Sequence, residues 1–183
     1  RVLFRSPYVY AQNKVTFDGN GATGGTMASQ LGLDPANLTS NTFVREGYTF
    51  NGWNTLADGT GTNYTNSQNV TILGALTLYA KWAVATYTVT YNYNSATSGN
   101  STANSTYQFG GSTITLPSPG KTGYTFGGWY TEAGLTNSVS TPYTPSADIT
   151  LYAKWTAGTF TLTYNYNNAT GGNGNASASY TTG

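Results

Sequence analysis

A chain of 183 residues with a formal net charge of +1, of which 7% are charged and 15% aromatic, has no basic field with which to hold nucleic acid or an acidic lipid surface. It contains no Cys and no His, so it lacks disulfides and the commonest general base and metal ligand, and no run of about eighteen apolar residues marks a membrane insertion. Its surface must be built from Thr, Ser, Asn, Gly and Tyr, and a net charge so near zero favours association over dispersal.

The amino terminus, Arg1 to Pro7, is too short and too polar for a signal peptide, so the chain reads as a mature form or a segment of something longer. Within residues 1–13, Val9-Tyr10-Ala11-Gln12-Asn13 lines up with Leu78-Tyr79-Ala80-Lys81-Trp82 and with Leu151-Tyr152-Ala153-Lys154-Trp155. This segment is expected to be the closing strand of a preceding or neighbouring module, present without its body.

Residues 14–82 form the first full module. It opens with Lys14-Val15-Thr16-Phe17 and runs into Asp18-Gly19-Asn20-Gly21, an alternating strand followed by residues that accept positive φ. A second extended segment, Thr26 to Leu31, predicts a hairpin with it, and Asp34-Pro35 suits the start of one short helical turn. Tyr48 and Phe50 share one side of the next strand. The Asn51-Gly52 pair that follows is a hairpin or bulge signal, and it brings Trp53 back to the face of Phe50, which straight alternation forbids. In the last strand Leu76, Leu78, Ala80 and Trp82 alternate with Thr77, Tyr79 and Lys81.

Residues 83–155 repeat this plan about seventy-five residues further on. Tyr87, Val89, Tyr91 and Tyr93 fall on one face of the opening strand, Ser105 to Leu116 is the second extended segment, and Gly123-Tyr124-Thr125-Phe126-Gly127-Gly128-Trp129 copies Gly47 to Trp53. All four tryptophans lie in these two modules. Phe50, Trp53, Leu78 and Trp82 are therefore expected to anchor one core, and Phe126, Trp129, Leu151 and Trp155 its duplicate. Residues 156–183 begin a third copy, with Phe160, Leu162, Tyr164 and Tyr166 alternating, a long Asn/Gly turn, and a second strand over 176–181. That half-module cannot bury a core by itself. The expected fold class is mostly β: tandem repeats of short-stranded sheets, in small modules of α+β, β-grasp-like type.

Candidate chemistry is sparse. Asp18-Gly19-Asn20 and Asp58 to Asn63 offer oxygen ligands of the calcium kind, yet neither completes an EF-hand spacing, and self-capped turns account for them. Folding is expected to need no metal and no cofactor. Lys81 or Lys154 is conceivable as a Lys–Asn isopeptide donor, against the plainer reading of a solvated lysine guarding a strand edge. A glycan-stacking platform would draw on Tyr79, Tyr91, Tyr93, Tyr152, Tyr164 and Tyr166, chiefly Tyr79 and Tyr152; cross-strand Tyr–Thr and Tyr–Tyr pairing is the alternative use. Several Asn-x-Ser/Thr triplets lie in loops, as an Asn/Thr/Ser-rich composition yields by chance.

Three blocks in fixed order, Val15 to Gly21, Gly47 to Trp53 and Leu78 to Trp82, resemble the Listeria–Bacteroides repeat, the B-repeat of internalin-type surface proteins. The second and third openings depart from it, carrying Asn-Tyr-Asn where the first has Asp-Gly-Asn-Gly. The resemblance implies a small β-grasp-like fold, tandem display on extracellular or cell-surface bacterial proteins, and no catalytic residues. The leading expectation is a non-enzymatic stalk or filament assembled head to tail from copies of itself. Its proposed contact joins Val9, Tyr10 and Ala11 of one subunit to Phe160, Leu162 and Tyr164 of another by strand addition. The competing expectation is an adhesin that binds surface glycan or host protein through exposed tyrosines.

Overall fold

The computed structural model describes residues 13–33, 35–168, 170–171 and 177–182. The chain divides into two compact units, Arg1–Ala85 and Thr86–Gly183.

The first unit carries β1 (Lys14–Asp18), β2 (Gln30–Leu31), β3 (Ala36–Asn37), β4 (Tyr48–Asn54), β5 (Asn63–Tyr64), β6 (Asn69–Val70) and β7 (Ala75–Val84). Five of them form one mixed sheet in the order β2-β1-β7-β4-β5. The closing strand β7 sits in the middle, parallel to β1 and antiparallel to β4. A parallel neighbour needs a long crossover, and here the crossover is the whole body of the module, so the sheet is finished only when its last strand arrives. Alternation then decides what is buried. Val15 and Phe17 of β1 and Leu78 and Ala80 of β7 point to one face, where they meet Trp53.

That face is covered by extended chain. Among the described residues there is no helix, so the modules are all-β, and the helical turn expected at Asp34-Pro35 is not formed by the residues that follow it. Ala36–Asn37 pairs with Asn69–Val70 instead; Asp34 lies outside the described residues. The cause is where the backbone groups bond. Leu38 donates its N–H to Gln68 O at 2.9 Å and Ile72 donates to Leu33 O at 2.8 Å, bonds across the lid that carry Leu33 and Leu38 into the core.

The Asn51-Gly52 pair makes a bulge and not a hairpin: β4 runs through it, and the pairing with β7 shifts register between Phe50 and Trp53. Gly52 has φ +94°, and a Cβ there would lie 2.7 Å from Tyr64 O. The extra residue brings the Phe50 and Trp53 rings to 4.9 Å on one face.

The second unit repeats the arrangement. It carries β8 (Thr86–Asn92), β9 (Asn104–Gln108), β10 (Tyr124–Tyr130), β11 (Ser138–Val139), β12 (Ile149–Ala157), β13 (Thr159–Thr163) and β14 (Ser177–Thr181). Its five-stranded sheet runs β9-β8-β12-β10-β11, with β12 parallel to β8 in the centre and the same bulge between Phe126 and Trp129. Its core gathers Val89, Tyr91, Tyr107, Ile114, Leu116, Trp129, Leu151 and Ala153. The remaining pair, β13 and β14, is a two-stranded antiparallel hairpin. The half-buried strand expected from Phe160, Leu162 and Tyr164 is exposed on both faces, because among the described residues no closing strand and no tryptophan covers it.

Candidate functional site

The residues that tie each module shut lie at the end of its opening strand. Asp18, Asn92 and Asn165 are equivalent there, and each accepts the N–H of the residue two further on, at 2.8, 3.0 and 3.0 Å respectively. The capped residues, Asn20, Asn94 and Asn167, have positive φ of 45°, 46° and 46°, a conformation that Asn tolerates better than most side chains. This turn aims their amides at the closing strand. Asn20 Nδ2 donates to Ala80 O at 3.0 Å and to Ala57 O at 2.9 Å, and Asn94 Nδ2 donates to Ala153 O at 2.6 Å. The closing strand answers through its tryptophan: Trp82 Nε1 donates to Gly19 O and Trp155 Nε1 to Tyr93 O, both at 3.0 Å. Opening turn and closing motif thus form a reciprocal latch.

Sequence reasoning missed this role for Asn20 and Asn94. The signal was the Asx-x-Asn triplet at the same offset in all three copies: Asp18-Gly19-Asn20, Asn92-Tyr93-Asn94 and Asn165-Tyr166-Asn167. Because an asparagine carbonyl does the same work in two copies, the latch has no need of the Asp18 charge. Asp58 is likewise committed to its own turn, accepting the N–H and hydroxyl of Thr60, which hold its pKa below the ordinary value. No group of three or more acidic side chains that could hold a metal occurs among the described residues.

In the third copy the turn is formed, and among the described residues no closing motif meets it. β13 gives one edge to β14, as β8 does to β9. The opposite edge, which β1 and β8 give to β7 and β12, carries no strand among the described residues. Phe160, Leu162 and Tyr164 lie beside it at 51%, 56% and 44% exposure. Val9, Tyr10 and Ala11 lie outside the described residues.

Trp53 and Leu78 are fully buried in one cluster against which half-buried Phe50 and Trp82 pack; Trp129 and Leu151 are buried in the other against Phe126 and Trp155. Trp129 Nε1 donates to Pro117 O at 2.8 Å, whereas the buried Trp53 Nε1 has no acceptor among the described residues. Tyr79 and Tyr152 are half-buried in the central strands, Tyr79 between Asp18 and Asn54 and Tyr152 between Asn92 and Tyr130. Lys81 Nζ donates to Asn63 Oδ1 at 2.7 Å, the Lys–Asn pairing an isopeptide would need. The contact is exposed, and no carboxylate bonds to Lys81 among the described residues to assist such a step. Lys154 lies with its ammonium 5.0 Å from the centre of the Tyr130 ring.

The family model of the Listeria-Bacteroides repeat domain matches residues 14–81 and 87–154. A protein of Evansella cellulosilytica named as a membrane protein is 34% identical over 145 residues, covering 77% of this chain and 21% of the relative. A second from the same organism, named as a Gly-rich membrane protein, is 33% identical over 132 residues, covering 66% of this chain and 15% of its own length. Internalin H of Listeria monocytogenes is 35% identical over 116 residues, 62% of this chain and 20% of the relative. The chain therefore spans about a fifth or less of the length of these relatives. Among the described residues no helix is long and apolar enough to cross a membrane.

Proposed function

The chain belongs to the Listeria-Bacteroides repeat family, and from that premise we propose that it is a structural, non-enzymatic tandem array displayed at a bacterial cell surface, in which modules join head to tail by strand addition. The surface setting is supported by relatives named as membrane proteins and as an internalin. A spacer role agrees with two modules that devote their large side chains to their own cores.

The observation that carries the joining step is the opening half of the third copy. Among the described residues β13 has one edge with no strand beside it, an exposed apolar row and a formed Asn165–Asn167 turn, the three features that receive the closing strand in the other copies. The occupant is a closing-type strand of a second copy, residues 9–13, running parallel to β13 as β12 runs to β8. A contact of this kind is heterologous and propagates into a filament.

The test is a comparison of the full chain with a variant lacking residues 1–13, by negative-stain microscopy and sedimentation. Filaments are expected from the first and monomers with both sheets intact from the second, and the free 1–13 peptide should cap growth. Filaments of unchanged symmetry from the shortened chain would refute strand donation. An adhesin reading draws on Tyr164 and Tyr180, exposed at 44% and 63%; saturable glycan binding lost on substituting these two would favour it.

A further inference from the structure

The two modules place a lysine at the same point of the closing strand and treat it differently. Ala80 and Ala153 pair with Trp53 and Trp129, so the next residues, Lys81 and Lys154, are equivalent. In the second module Lys154 leans over Tyr130, and its stem lies 3.3 Å from where a Cβ on Gly127 would be. In the first module the position of Tyr130 is taken by Asn54, which is fully buried. The two N–H groups of the Asn54 amide are shared among Gly59 O, Gly61 O and Asn63 Oδ1, and its oxygen accepts from the Leu56 and Gly61 N–H groups, at 2.8–3.1 Å. This network fixes Asn63, and Asn63 in turn holds the Lys81 ammonium at 2.7 Å. Among the described residues one of the three lysine N–H donors is used and two remain.

Those two donors belong to a side chain that lines a cleft of about 380 Å³ built over the bulge, whose other walls include Phe50, Asn51, Asn63, Tyr64 and Asn66. Its size falls within the range of small-molecule sites. The rings of Phe50 and Tyr64 pack towards the core, and the three amides supply neutral donors and acceptors, a lining suited to hydroxyl groups. Lys81 adds one positive charge, which no carboxylate among the described residues meets directly. We propose that this cleft of the first module binds an acidic sugar, a pyranose whose ring carboxylate meets Lys81 while its hydroxyls meet the asparagine amides. The second module does not share the activity, since Ser138 and Val139 stand where the first has Asn63 and Tyr64.

Two kinds of sugar carry that carboxylate, hexuronates and sialic acids. Titration calorimetry of the full chain with tetragalacturonate and with sialyllactose separates them, with lactose and N-acetylglycine as a neutral sugar and a bare carboxylate. Saturable binding of at least one acidic sugar is expected, weakened about tenfold or more in Lys81→Gln, unchanged in Lys154→Gln and retained in Lys81→Arg. Amide shifts in the unsubstituted chain should cluster at residues 50–52, 63–66 and 81, a readout independent of how the variants fold. Absence of binding by both acidic sugars, equal binding of lactose or N-acetylglycine, or shifts confined to the second unit would overturn the proposal.

Discussion

Trp53 and Trp129 fill the same place in two cores and differ by one hydrogen bond. Trp129→Phe removes an indole that serves Pro117 O, whereas Trp53→Phe removes a buried donor that has no acceptor among the described residues, so the lost volume is alike and the polar term is not. Trp129→Phe is expected to cost about 1–3 kcal/mol more than Trp53→Phe in urea denaturation followed by circular dichroism; equal costs would show that the Pro117 bond contributes nothing net. Asn20 allows a cleaner subtraction. Glycine takes a φ of 45° without strain, so Asn20→Gly isolates the loss of the two amide bonds to Ala57 and Ala80. It should destabilise the first unit by about 1–3 kcal/mol and speed hydrogen exchange in β7. Asn167→Gly, whose amide has no closing strand to hold among the described residues, should change neither.

At the scale of an element, the turn between β10 and β11 is organised by one carboxylate. Glu132 accepts the hydroxyls of Thr131 and Thr136 and the Asn137 and Thr136 N–H groups, the latter two at 2.7 Å, and these bonds lower its pKa to about 2 from 4.5. A carboxyl whose folded pKa is depressed contributes stability that is complete above the unfolded value and lost as the pH falls. The contribution is therefore full above about pH 4.5 and fades towards pH 2. Thermal melts of the second unit should show the native chain more stable than Glu132→Gln at neutral pH, with the difference closing through that window. A difference that stays constant down to pH 2 would mean that the carboxylate is not what holds the turn.

At the scale of the whole molecule, each core is drawn from residues of its own unit, and each depends on one buried tryptophan. Trp53→Ala should cost about 3–5 kcal/mol, a large share of the stability of so small a module. The signature would be loss of exchange protection across β1, β4 and β7; full protection in the variant would remove Trp53 from the centre of the core. The second latch fixes the same turn with the neutral Asn92 that the first fixes with Asp18, so EDTA should leave the thermal transition where it is. A fall restored by calcium would return Asp18 and Asp58 to the role of ligands.

The sequence by itself determined the repeat, the β class and which side chains share a face, because period-two alternation and the spacing of Trp53, Trp82, Trp129 and Trp155 are local properties of the chain. It also foresaw that Asn51-Gly52 returns Trp53 to the face of Phe50, since any extra residue in a strand does so. What it left open was decided by partners distant in sequence. Whether that pair is a hairpin or a bulge depends on β7 running unbroken beside it, and whether residues 35–38 turn or extend depends on Gln68 to Ile72 lying opposite. The latch lies beyond local reading for the same reason: Asn20 and Ala80 are 60 residues apart. The tertiary structure likewise separated two lysines that look identical in Leu-Tyr-Ala-Lys-Trp. A buried Asn54 props Asn63 beneath Lys81, while Tyr130 draws Lys154 over its ring, and the residue that makes the difference sits on another strand.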